Sequence, residues 1–274
     1  MKFDMTRAWN EAMAIFGANA SLMSVIAGLF VFLPNLAVTM LAPEISEPPA
    51  MTGDETPEQM MEVMSAFYAT AAPWIIAISI ISLIGSLAMY ALTSASRPTV
   101  GDALKTGFAA FIPALLAQII LVVGMTLLAG LLIGIPAGLG IVALVVIMTL
   151  VVIVGLIYLT VKFSLISPVI VLEGVRNPLT ALKRSWKLTK GNSIRLFGYY
   201  LILLVVVIVV SLVFGLFSQV FVALLGDGTA GLLLAGILSG ILAVAFAVLA
   251  VCIFAAVHRQ LAGPVPETVS ETFE

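Results

Sequence analysis

The chain has 274 residues, of which 62% are hydrophobic and 9% are charged, with twelve Lys and Arg against fourteen Asp and Glu. Soluble domains carry roughly 25% charged residues, and no soluble core hides this much apolar surface, so lipid has to be part of the solvent. The single Cys, Cys252, lies in an apolar run, which excludes an internal disulfide and a cysteine-built zinc cluster and leaves a small packing residue.

A helix crosses the hydrocarbon in about 20 residues. Lys2 and Arg7 precede an apolar stretch that imitates a signal peptide. The stretch is too long, however; Asp4 and Glu11 sit in the basic region, and Pro43 follows the one small-residue cleavage point at Ala42. No lipid anchor is expected, because the chain shows neither an N-terminal Met-Gly nor a C-terminal prenylation box. The first span is expected over residues 20–41, kinked at Pro34. An acidic loop over residues 42–66 follows. In it, Thr56-Pro57-Glu58-Gln59 reads as an N-cap, a Pro at the first helical position and a capping-box partner. Met60, Met61, Met64 and Phe67 then form an apolar stripe, so a short interfacial helix is expected ahead of a second span over residues 72–92.

The uncharged run from Thr106 to Val161 is too long for one crossing at about 1.5 Å per residue. Its only turn chemistry is Gly134-Ile135-Pro136-Ala137-Gly138-Leu139-Gly140, which places a hairpin tip there, a kink at Pro113, and spans over residues 108–133 and 139–161. The last spans fall near residues 196–225 and 231–257, joined at Gly226-Asp227-Gly228. The expected fold is all-α and polytopic: six transmembrane helices plus short interfacial helices in one domain (residues 1–262), then a short acidic cytoplasmic tail (residues 263–274).

The basic residues sort into four groups: Lys2/Arg7, Arg97/Lys105, Lys162 through Arg195, and Arg259. The segments on the opposite side carry only acids, namely Glu44, Glu47, Asp54, Glu55, Glu58, Glu62 and Asp227. By the positive-inside rule both termini are expected in the cytoplasm. Each outward span is preceded by a similar short segment, at Trp9-Asn10-Glu11-Ala12-Met13, at Val100-Gly101-Asp102-Ala103-Leu104-Lys105 and at Leu179-Thr180-Ala181-Leu182-Lys183. This suggests three copies of a unit made of an interfacial helix, a span out, a turn and a span back.

Seven of the twelve basic residues lie between Lys162 and Arg195. There Asn177 is suited to cap a helix, Pro178 to start it and Gly191 to stop it, with Lys187 and Lys190 at the negative end of the dipole. The spacing predicts a helix over residues 178–190, with Leu179, Leu182 and Trp186 on one face and Lys183, Lys187 and Lys190 flanking it, as in an interfacial helix with an aromatic anchor. One reading is a topology anchor. The other is a surface for anionic lipid head groups or an acidic partner, built by Lys183, Arg184, Trp186, Lys187 and Lys190, with about 1 kcal/mol per basic residue near an anionic leaflet.

The run Pro168…Leu172-Glu173-Gly174…Ala181-Leu182-Lys183-Arg184-Ser185-Trp186-Lys187-Leu188…Gly191-Asn192 resembles the membrane-domain family found fused to some bacterial glycerophosphodiester phosphodiesterases, and related uncharacterised six-span families. The resemblance implies a bacterial inner-membrane protein with no established activity of its own. The phosphodiesterase of that family is a separate soluble barrel, and nothing catalytic carries over.

Intramembrane ionisable residues mark ion and proton pathways. Within the expected spans there are none: Lys162 and Arg195 sit at cytoplasmic ends, and His258 is the only His. Neither a Ser/His/Asp arrangement, a Walker loop nor a dinucleotide fingerprint is present, so no enzyme, metal or cofactor is expected. Asn35 and Gln118 are the candidate intramembrane polar sites, with Gln219, Ser79, Ser82 and Ser86 as further polar residues. These serve either hydrogen bonds between helices or a polar cavity. The small-residue pairs Ser82/Ser86, Gly130/Gly134 and Gly236/Gly240 permit close helix contact, within the fold or in an oligomer. The leading expectation is a non-enzymatic membrane module, a scaffold or accessory for envelope proteins or lipids. The alternative is a permease or channel-like protein for a small or amphipathic solute, with Gln118 and Asn35 in its pathway. Expected partners are the bilayer, anionic lipids and other membrane proteins, and not nucleic acid.

Overall fold

The computed structural model describes residues 2–42, 45, 49, 56–96, 98–225 and 228–263. The expected outer acids Glu44, Glu47, Asp54, Glu55 and Asp227, together with Arg97 and the tail from residue 264, lie outside the described residues. The fold is all-helical among the described residues, with six helices long and apolar enough to cross a membrane.

The first span comprises α1 (Met5–Ala27), one wide π-turn (Gly28–Phe32) and α2 (Leu33–Leu41), forming one continuous helix. Asp4 caps it by accepting the Arg7 N–H at 2.9 Å. The π-turn is the local answer to Pro34. A proline has no N–H and its ring clashes with the carbonyl four residues back, here Phe30. The wider turn gives that carbonyl room, and Ser82 Oγ donates to it at 3.3 Å. The expected kink site is thus a π-turn stapled to the next span.

Next come α3 (Pro57–Leu92), α4 (Val100–Gly138) and α5 (Val142–Phe163). The expected capping box is present: the Thr56 N–H donates to Gln59 Oε1 at 2.9 Å, and the Gln59 N–H donates to Thr56 Oγ1 at 3.3 Å. The segments at residues 9–13, 57–67 and 100–105 are helical, and each is the opening of a long helix that continues into its span. Nothing between them and the spans breaks the helical hydrogen-bond ladder; Pro73 and Pro113 are both carried inside helices. The hairpin tip falls at Gly140, whose φ of +69° favours glycine. Ile141 N–H donates to Pro136 O at 3.1 Å and Gly140 N–H to Ala137 O at 3.0 Å, which is a Schellman stop at the far end of the expected turn segment.

A break at Ser164–Leu165 separates α5 from the short α6 (Ile166–Leu172), because Pro168 would clash with the Ser164 carbonyl in a continuous helix. The helix α7 (Pro178–Thr189) stands alone as expected, with Asn177 Oδ1 accepting the Leu179 and Thr180 N–H groups at 3.0 and 3.2 Å. Gly191, at φ +83°, turns the chain into α8 (Ser193–Leu225), and α9 (Thr229–Ala262) completes the fold. Among the three expected repeat units, only the third has a separate leading helix.

Neighbouring helices run α5–α4–α3–α1–α9–α8, and α5 touches α8 to close the ring. The core sits at the basic end. It is built from Leu87, Met89 and Leu92 of α3, Ala103 and Ala110 of α4, and Cys252 and Val257 of α9. Into this end α6 inserts as a plug packed on α3, α4, α7 and α9, with Leu165, Val169 and Ile170 at 0–1% exposure. The opposite half is looser. The fourth and fifth spans are mostly exposed within the protein, with only Val152 buried in the middle of α5.

Close approach of α3 and α4 depends on Gly107, where a Cβ would lie 2.9 Å from the Ala88 backbone nitrogen. Gly236 and Gly240 likewise admit Thr39 and Phe32 of the first span, so that pair serves the internal fold, whereas Gly130 and Gly134 meet nothing within 4 Å. Thermal unfolding of the detergent-solubilised protein tests this packing. Gly107→Leu is expected to destabilise by about 2 kcal/mol, and Gly124→Ala, in open space, to stay within about 0.5 kcal/mol. Equal effects would contradict the close approach.

Candidate functional site at the basic end

The candidate site is built around the α6–α7 corner. The last carbonyls of a helix lack internal partners. At the end of α5, the Lys162 carbonyl is satisfied instead by Ser185 Oγ of α7, which donates at 2.8 Å, with Thr189 Oγ1 at 3.4 Å. This puts Ala181, Leu182, Ser185, Leu188 and Thr189 on the buried face of α7. Leu182 is therefore inside, while Leu179 stays 54% exposed. Trp186 is not a free anchor. Its ring lies against Tyr158 (5.9 Å between centroids) and Phe163 (5.6 Å), pinning α7 to α5. The Lys162 ammonium sits 5.5 Å from the Tyr158 centroid and 5.0 Å from that of Trp186.

Glu173 ends α6, and Gly174 at φ +68° turns the chain away. Its carboxylate receives Arg184 Nε at 2.7 and 3.1 Å and His258 Nε2 at 2.9 Å. An ionised carboxylate only accepts, so the His258 proton facing it is on Nε2, and the buried Nδ1 has no partner among the described residues. Burial pushes the Glu173 carboxyl up, but the hydrogen bonds from His258 and Arg184 outweigh it and bring it down to about 2. One side chain thus ties α6 to α7 and α9.

Around it the helix ends are stitched together. Arg259 donates to the Thr93 carbonyl and lies 3.7 Å from Glu11. Gln260 Nε2 donates to Asp4 O at 3.2 Å, and the Phe3 N–H donates to Asn192 Oδ1 at 2.8 Å. These bonds gather the starts of α1 and α8 and the ends of α3 and α9 at one end of the bundle.

Lys183, Lys187 and Lys190 are exposed on the outer face of α7 and form no ion pair among the described residues, whereas Arg184 is committed to Glu173. The two candidate intramembrane polar residues do not meet. Asn35 donates back to Val31 O at 2.7 Å within its own helix, and Gln118 is exposed on α4. The polar cleft that the fold does contain, about 620 Å³, lies between α8 and α9 and is lined by Ser211, Ser218, Gln219 and Ser239. Neither Asn35 nor Gln118 lines it. Among the described residues no group of His, Cys, Asp and Glu is arranged to hold a metal ion.

A family described as a domain of unknown function, DUF7847, matches residues 5–261. The chain belongs to this family. No curated protein and no solved structure matches it. The DUF7847 match covers all six spans and the α6–α7 corner, so that corner is part of the family domain and not an appendage.

Sequence reasoning missed the partnership of Glu173 with His258. A signal existed: Glu173 is the only acid between Lys162 and Arg195, a stretch with seven cations, and His258 is the only His. The distance of 85 residues between them hid the pairing.

Because the folded carboxyl is depressed, its contribution to stability is full above the ordinary carboxyl value of about 4.3 and is lost as pH falls through about 2. Glu173→Gln is expected to cost about 1–2 kcal/mol at neutral pH and to flatten the fall in Tm below about pH 4.3. An unchanged pH profile in the variant would contradict the assignment.

Proposed function

We propose that this protein is a non-enzymatic membrane module, a scaffold or accessory for other envelope proteins or lipids, seated in the bacterial inner membrane with both termini in the cytoplasm. One observation carries the reading. The helix α7 is clamped to the bundle through Ser185, Thr189 and Arg184, yet Lys183 and Lys187 on it and Lys190 at its C-terminal cap face outward with no ion pair among the described residues. A topology anchor needs only an excess of positive charge, not a rigid mount. A helix whose backbone is already fixed adds no folding cost on meeting an acidic surface, which favours binding. The resemblance of residues 168–192 to membrane domains fused to soluble enzymes supports an accessory role.

The test is the triple variant Lys183→Glu/Lys187→Glu/Lys190→Glu, isolated in mild detergent beside the unaltered protein. Proteins or anionic lipids that co-purify with the unaltered chain are expected to fall at least tenfold, each lost contact being worth about 1 kcal/mol. Orientation is checked separately in intact cells with Thr180→Cys and Glu62→Cys and a membrane-impermeant maleimide: only Glu62→Cys is expected to react before permeabilisation. Correct insertion with unchanged co-purification would overturn the proposal.

A further inference from the structure

The polar cleft of about 620 Å³ between α8 and α9 lies away from the basic end, on the distal half of α8. No Lys, Arg, His, Asp or Glu lines it. Its polar groups are the hydroxyls of Ser211, Ser218 and Ser239 and the carboxamide of Gln219. Ser239 Oγ donates back to Gly236 O at 3.1 Å within its own helix. Ser211, Ser218 and Gln219 make no side-chain hydrogen bond among the described residues. Gly215 and Gln219 are exposed, and Gln219 is set among exposed Phe217, Val220 and Phe221. In a bilayer this side of the cleft therefore meets lipid and not water.

A carboxamide carries two N–H donors and an accepting carbonyl, and leaving them unpaired in hydrocarbon is costly. With no charge in its lining, the cleft offers nothing to an ion. An acyl chain would fill it but leave the amide and the hydroxyls without partners. A helix bearing its own polar side chain at the same depth satisfies both requirements. This chain supplies such a helix. Two copies inserted the same way are related by a two-fold axis along the membrane normal, so identical residues meet at identical depth. A lysine or a glutamate would repel its image there. An amide donates and accepts, so Gln219 complements its own image. Ser211, Gly215 and Gln219, four residues apart, share one helix face. A Cβ at Gly215 would meet nothing within 4 Å, so that position leaves room for a second backbone to approach.

We propose that two copies of this chain pair through the α8–α9 cleft, with Gly215 at the crossing of the two α8 helices and Gln219 hydrogen-bonded to its counterpart across the two-fold axis. The contact goes beyond the α7 docking surface and uses none of its lysines, so either stands without the other.

The experiment follows the full chain in neutral detergent by sedimentation equilibrium over a range of protein-to-detergent ratios, where a monomer–dimer equilibrium is expected. Gln219→Leu keeps the bulk but loses the amide, and should raise the dissociation constant roughly tenfold. Gly215→Trp puts its ring into space that is open in the single chain and should leave a folded monomer. Gly124→Trp, equally open but on α4, should keep the dimer. Mild oxidation should cross-link Gln219→Cys to its counterpart but not Val213→Cys, which is exposed on α8 outside the cleft; the native Cys252 is buried. The proposal is overturned if the unaltered chain is monomeric at every ratio, including as a monomer carrying a foreign membrane helix. It is also overturned if Gln219→Leu or a folded Gly215→Trp dimerises as tightly as the unaltered chain, if Gly124→Trp loses the dimer, or if Val213→Cys cross-links as readily as Gln219→Cys. Should Gly215→Trp fail to fold, Gln219→Leu and the cross-links decide.

Discussion

The carboxylate of Glu173 is the interaction on which the basic end depends. It closes the short helix α6, and it is held at once by Arg184 of α7 and His258 of α9. Without it, α6 would still be apolar and would still seek the core, but nothing would fix its end relative to the last span. Two buried or half-buried partners would also be left without their acceptor. Removing one member of such a cluster leaves the others uncompensated in a medium of low dielectric, which is why charged clusters of this kind act as a unit.

Around that point the structure is lopsided. The core packs at the basic end, where small residues of α4 and α9 let the helices meet, and α6 fills the space inside the ring. Toward the acidic end the fourth and fifth spans leave most of their apolar side chains exposed, which in a bilayer is a surface for lipid. The same lopsidedness organises the charge. Glu11 and Glu173 are matched to Arg259 and to Arg184 and His258, whereas Lys183, Lys187 and Lys190 face outward. Lys162 is buried against two rings. Internal structure uses one set of cations and leaves the other for what lies outside.

Much of this was legible in the sequence. Span number, the hairpin tip at Gly140 and the Asn177–Pro178 start of α7 follow from local rules of length, capping and turn chemistry, and those rules act over a few residues. What escaped were features set by tertiary partners. Pro34 announced a kink, but the π-turn and its Ser82 staple required knowing that α3 lies alongside. Trp186 looked like a membrane anchor because its neighbours in the periodic pattern were leucines. Its docking on Tyr158 and Phe163 depends on the break at Ser164, which folds α7 back onto α5. Asn35 and Gln118 stood out as polar residues in apolar runs, yet polarity alone does not say which way a residue faces. One bonds to its own helix and the other lies on the outside.

Glu173 and His258, 85 residues apart, are coupled directly and lock α6 to the last span. A double-mutant cycle measures that coupling most directly, using Glu173→Gln, His258→Gln and the pair together, each by reversible unfolding of the full chain in detergent. The double variant is expected to be less destabilised than the sum of the singles by about 1 kcal/mol or more. Additivity within about 0.3 kcal/mol would contradict it.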